Sequence, residues 1–177
     1  MINVNKDVSR SYLIGKVLPV IRSKWPRCSA TETIYIQQDN AKPHIQGWDA
    51  EFLEAANQEG FDIRLLFQPP NSPDMNVLDL GFFRAIQSLQ YQAAPKNVDE
   101  LVHAVEKSFE ELSSECLNRV FLTLQASMIE VMKVNGGNNY KLPHMGKQHL
   151  MRDDGTLPTQ LQCECAIVEN ALVHLQS

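Results

Sequence analysis

Three prolines in eight residues, in the stretch PPNSPDMN from Pro69 to Asn76, constrain this chain more than any other feature. Proline fixes its own φ and donates no amide hydrogen, so neither a helix interior nor a sheet ladder runs through such a stretch. Whatever folds ahead of Pro69 must therefore finish there. Immediately before it, Phe61 to Gln68 (FDIRLLFQ) reads as a strand, and further upstream the β-branched and aromatic run Thr33 to Gln38 reads as another, expected to be largely buried. Between them Trp48, Phe52, Leu53 and Ala56 recur at helical spacing and the pattern stops at Gly60, which predicts a helix over 48–58 with Trp48 on its core face. Strand, helix and strand joined by short links predict a parallel βαβ unit with a right-handed crossover.

The flanks read as helical. Val8 to Lys24 places Leu13, Val17, Val20 and Ile21 on one face, with Pro19 expected to kink or divide it before KWPRCSATET ends it. After the prolines a helix is predicted from Met75 or Asn76 to about Tyr91. Asn97 and Glu100 then resemble a capping box ahead of an amphipathic helix built on Val98, Leu101, Val102, Val105, Phe109 and Leu112. A further helix runs from Ser114 to NGGNN. In the tail, CECAIVENALVHL fits either a last strand or a short helix. The predicted organisation is a basic helical segment over 1–31, a central domain over 32–135 and a tail over 136–177.

With 177 residues, 44% of them hydrophobic, the chain suits one domain, or one domain with a tail. No apolar run has the length of a membrane helix and the first twenty residues do not read as a signal peptide, so no membrane partner is expected and the predicted address is cytoplasmic or nuclear, not secreted. Cys28, Cys116, Cys163 and Cys165 lack paired CxxC spacing and read as reduced thiols; Cys163 and Cys165 with His144, His149 and His174 make a weak zinc signal. Net charge is −5, which argues against general phosphate binding, yet residues 1–31 hold Lys6, Arg10, Lys16, Arg22, Lys24 and Arg27 against Asp7 alone.

Asp39 leaves the first predicted strand at its carboxyl end, and the loop after the second leads to a helix whose first turns carry Asp74 and Asp79. In open α/β sheets functional groups gather at those ends, so Asp39 and Asp79 are candidates to converge although 39 residues separate them. Paired carboxylates repel unless a cation lies between them, which suits Mg²⁺ or Mn²⁺ with substrate phosphate and water completing the shell. On spacing alone a plainer reading is favoured: an Asx-turn at Asp39, a helix cap at Asp74 and a solvated acid at Asp79.

Wording shifts that balance. QQDNAKPH, followed by LLFQPPNSPDMNVLDLGFF, resembles the second and third catalytic blocks of the Tc1/mariner superfamily of transposases. Asp39, Asn40, Ala41 and His44 match the first stretch, and Pro70, Ser72, Pro73, Asp74, Asn76 and Asp79 match the second. The resemblance spans about half the chain. It implies an α/β, RNase H-like fold, present here as its C-terminal half with a helical extension, and a triad of acids in which Asp39 is the second and Asp79 the third, in the all-aspartate form of mariner-like members. It also implies two Mg²⁺ or Mn²⁺ ions, a nuclear address, cleavage of DNA at transposon ends and joining to target DNA, with a homo-oligomer or full-length transposase as possible partner. Asn40, His44, Pro70, Ser72, Pro73, Asp74 and Asn76 then shape the site's loops, while Lys42, Arg64 and Arg84 are candidates to meet phosphates. His44 reads more readily as ordering its own loop than as touching metal.

The family's first acid lies far upstream of its second, and only 38 residues precede Asp39 here. Asp7 opens a helix and is not assigned to that role. The expectation is an N-terminally truncated member with little activity alone and an apolar edge on the strand that ends at Asp39. Two alternatives stand beside it: a non-catalytic protein that binds DNA or associates with an intact transposase, and an RNase H-like nuclease that recruits Asp7 or Glu32.

Overall fold

The computed structural model describes residues 3–26, 32–142, 144–152 and 155–176; Arg27 and Cys28 of the sequence reading lie outside the described residues. The chain divides into two compact units, Met1–Pro70 and Asn71–Ser177.

The first unit opens with α1 (Lys6–Tyr12), a π turn at Leu13–Val17 and α2 (Leu18–Lys24). Pro19 does not divide this helical run. In α geometry its ring would press on the carbonyl of Gly15; here the wider π turn precedes it, with the Leu18 amide donating to the Leu13 carbonyl. Then come β1 (Ile34–Gln38), α3 (Ala50–Ala56) and β2 (Ile63–Phe67), the strands pairing in parallel from Ile34↔Ile63 to Gln38↔Phe67. The unit is thus mixed helix and strand, with the expected strand, helix, strand order.

Its core gathers Leu18, Ile34, Ile45, Phe52, Ala56, Phe61, Ile63 and Leu65, with Leu13, Ile14 and Ile21 packed against them. The basic N-terminal helices thus share one core with the sheet. Two expectations are corrected. β1 is not largely buried: Ile34 points inward while Tyr35 is 57% exposed, and in β2 buried Ile63 and Leu65 alternate with exposed Arg64 and Leu66, so the two-stranded sheet covers one face only. Trp48 is not a core residue but 76% exposed, because α3 starts after it, with the Asp49 carboxylate accepting from the Phe52 amide at 3.1 Å. Asp49 also accepts from the Arg10 guanidinium, at 2.7 Å from Nη2 and 3.0 Å from Nε, which fastens α1 to the start of α3.

The second unit is helical. A short 3-10 turn at Pro73–Met75 and a π turn at Leu78–Phe82 lead into α4 (Phe83–Ala93), followed by α5 (Val98–Glu111), α6 (Ser114–Lys133), a 3-10 turn at Lys147–Leu150 and α7 (Cys165–Gln176). The capping box forms in part: Asn97 accepts from the Glu100 amide at 2.9 Å, while Glu100 accepts from the amide of Lys96, one residue before the cap, at 2.7 Å. Ser113 caps α6, which ends where Asn135 and Gly136 take positive φ of 51° and 82°. The tail's open alternative resolves as a helix, α7. Before it the chain runs beside α6, where Asn118 donates to the Pro158 carbonyl and Gln125 bonds both the Thr159 carbonyl and the Leu161 amide.

α5 does not bury the stripe that its periodicity suggested. Ala104 and Ser108 are its buried residues, whereas Val98, Val102, Val105 and Phe109 are exposed. α4 and α5 pack together.

Candidate functional site

Asp39 stands just past the end of β1, and three side-chain bonds shape the loop that follows. Gln38 Nε2 donates to the Ile45 carbonyl at 2.7 Å, and Asn40 Nδ2 donates to the Gln68 carbonyl at 2.9 Å, joining the exits of the two strands. Asp39 Oδ1 accepts the Ala41 amide at 2.8 Å, the Asx-turn that its residue type allows. His44 Nδ1 lies 3.0 Å from that same oxygen and 3.0 Å from the Asp39 carbonyl oxygen. Next in sequence, Ile45 is sunk in the core, so the loop cannot drift from the sheet.

The result is an acid held by its own loop but open to solvent, its side chain 53% exposed. Oδ1 is engaged, while Oδ2 has no protein partner among the described residues. The turn and the displayed carboxylate are not rival roles here; one produces the other. His44 orders the loop by its bond to Asp39. Lys42 is exposed in the same loop. Arg64 is already engaged, its Nε donating to Asp62 at 2.9 Å with Nη2 at 2.8 Å from the second oxygen; that guanidinium, with the Thr33 hydroxyl, holds the Asp62 carboxyl below its usual range.

In the second unit the proline run is built around Ser72 and Asn76. Ser72 is buried, its carbonyl accepting the Met75 amide at 3.0 Å, and Pro73 opens the 3-10 turn that carries Asp74. Asn76 has four bonds: its amide donates to the Pro73 carbonyl at 3.2 Å, its carbonyl accepts the Leu80 amide at 2.8 Å, Oδ1 accepts the Leu78 amide at 3.0 Å, and Nδ2 donates to Asp79 Oδ2 at 2.8 Å. It therefore starts the helix and aims the acid in one step. Asp79 is exposed in the π turn, and its Oδ1 has no protein partner among the described residues. Behind it Gly81 lies against Val120 of α6, where a Cβ would stand 3.1 Å from a Val120 methyl. Arg84 is exposed on the first turn of α4, and Pro70 is exposed at the end of the first unit.

Asp74 is not a helix cap. Its carboxylate accepts the Tyr140 hydroxyl, which pins the 3-10 turn to the segment after α6. Burial, and then the bond to Asp74, push the Tyr140 phenol up to about 12. Sequence reasoning missed Tyr140, because its partner is 66 residues away and nothing local marks it.

Asp39 thus belongs to the first unit, with Asn40, Lys42, His44 and Arg64, and Asp79 to the second, with Asp74 and Asn76. The donors are carboxylate oxygens, hard ligands whose chemistry fits Mg²⁺ or Mn²⁺. Their number is small: among the described residues no group of three or more His, Cys, Asp or Glu gathers to hold a metal. Nor is any helix among them long and apolar enough to cross a membrane. No family model, no curated protein and no solved structure matches this chain.

Proposed function

We propose that the chain supplies two of the three carboxylates of a Tc1/mariner-like phosphoryl-transfer centre with an RNase H-like fold, acting on DNA in the nucleus. The observation that supports this most is a shared pattern of presentation. Asp39 and Asp79 are each exposed and have one oxygen engaged by a motif residue, His44 for Asp39 and Asn76 for Asp79, while the other oxygen has no protein partner among the described residues. A carboxylate that only shaped a turn would not need a second residue of the motif to aim it.

Asp39 Oδ2 and Asp79 Oδ1 are the atoms that would hold Mg²⁺ or Mn²⁺. Such ions, when bound, activate the attacking oxygen and neutralise charge on the leaving one. The chain's own part is to orient: His44 and the Ala41 amide fix one carboxylate, and Asn76 fixes the other. Two acids fall short of the ligand set that two ions require, so the 177 residues alone are expected to cleave DNA poorly. The test is Mn²⁺ binding by calorimetry with a parallel strand-cleavage assay. Weak binding lost in both Asp39→Ala and Asp79→Ala, without turnover, supports the reading; efficient cleavage, or binding untouched by either change, refutes it.

A second reading is a protein that keeps this fold only to bind DNA or an intact transposase. The open face of the two-stranded sheet, where Tyr35 and Leu66 are exposed, supports it. Co-purification with a full-length relative, with no Mn²⁺ binding, would select it over the first.

A further inference from the structure

We propose that α5 is a docking helix for a basic amphipathic helix of another protein, a role separate from any chemistry at Asp39 and Asp79. At 100° per residue, Val98, Val102, Val105 and Phe109 fall within an arc of about 60°. Their spacing of four, three and four residues is the seam of a coiled coil. All four are exposed, Val102 by 51% and Phe109 by 63%, with the Phe109 ring edge-on to that of Phe82, centroids 6.1 Å apart. Natural helices seldom leave a continuous seam of this kind in water, and such faces mark sites of association.

The flanks of the seam say what fits. On one side Ala104 and Ser108 are buried in the second unit's own packing, so that side is closed. On the other, Asp99, Glu106 and Glu110 adjoin the seam at intervals of seven and four residues and form a rail of negative charge. None of the three forms an ion pair among the described residues; the neighbouring Lys107 pairs with Glu111 instead. A partner helix laid along the seam would place its flanking residues against this rail. Lysine or arginine there gains attraction, and acidic residues are repelled. The same rail disfavours a second copy of α5, since two such helices packed antiparallel would oppose acid with acid.

The experiment uses the full chain and two labelled three-heptad peptides with leucine seams, one flanked by lysine and one by glutamate, titrated by fluorescence anisotropy at about 150 mM salt. The expected result is saturable binding of the lysine peptide, at least about tenfold tighter than the glutamate peptide. The double variant Val102→Ser, Phe109→Ser, which keeps every charge, should lose that binding, and the triple variant Asp99→Lys, Glu106→Lys, Glu110→Lys should reverse the preference. These positions are all exposed, and unchanged circular dichroism confirms that each variant is folded. Equal affinity for both peptides overturns the proposal, as does lysine-peptide binding indifferent to the seam variant, which would be diffuse charge attraction. A wild-type dimer in sedimentation that becomes monomeric in the seam variant overturns it too, because the occupant would then be a second copy.

Discussion

Replacing Ile45 with alanine tests the link between the core and the loop that displays Asp39. Ile45 is 1% exposed and sits six residues past Asp39, packed among Leu18, Phe52 and Ile63. The change removes three buried carbons, roughly 2.4 kcal/mol at about 0.8 kcal/mol each. A cavity walled by the sheet and two helices collapses poorly, which brings the expected cost to about 3–4 kcal/mol. Tyr35→Ala is the control, since that ring lies on the open face of the sheet and should cost under about 1 kcal/mol. Both tryptophans, Trp25 and Trp48, belong to the first unit, so their fluorescence during urea unfolding reports on that unit by itself. If Ile45→Ala costs less than about 1 kcal/mol, or Tyr35→Ala costs as much as Ile45→Ala, the one-faced sheet described above is wrong.

Other outcomes follow from single contacts. Arg10 holds the Asp49 carboxyl below its usual range, so this pair stabilises the first unit above the unfolded carboxyl value of about 3.9 and ceases to do so as pH falls through the lower folded value. Arg10→Gln should therefore move acid unfolding, followed by tryptophan fluorescence, to higher pH. Tyr140, raised to about 12, stabilises the second unit below about pH 10 and loses that contribution as pH rises through the folded value. Absorbance titration near 295 nm should show a late-ionising phenol that is absent in Tyr140→Phe and ionises earlier in Asp74→Asn. Gly81→Val should destabilise the second unit by about 1–3 kcal/mol through the clash with Val120, read as a lower thermal midpoint in circular dichroism.

Much of the local structure was legible because its causes are local. The proline run stops β2, the capping box at Asn97 starts α5, and Asn135-Gly136 ends α6, each through residues within a few positions of the event. Trp48 was misplaced because apolar spacing was followed past Asp49, whose capping role sets the true start of α3. Periodicity identified α5 as amphipathic but says nothing about which face finds a partner; that was decided by the packing of Ala104 and Ser108. For the candidate site, the motif residues and their loops were readable. The bonds that orient the acids, His44 with Asp39 and Asn76 with Asp79, were not read from the sequence, because residue type and spacing do not say which side chains of a loop meet. Tyr140 with Asp74 and Arg10 with Asp49 join distant segments and leave no trace in spacing.

The parallel pairing of β1 with β2 has a kinetic consequence. Its contacts join residues 29 apart, as at Thr33 and Asp62, and the Arg10–Asp49 contact spans 39. The second unit instead contains α4 and α5 joined by a short connection, so those helices meet after little chain has been ordered. Closing the longer loops costs more entropy before any contact rewards it, so the tryptophan signal of the first unit should mature after the bulk of the helical signal in stopped-flow refolding. The segment bearing Asp39 would then take its final form after the α4–α5 pair.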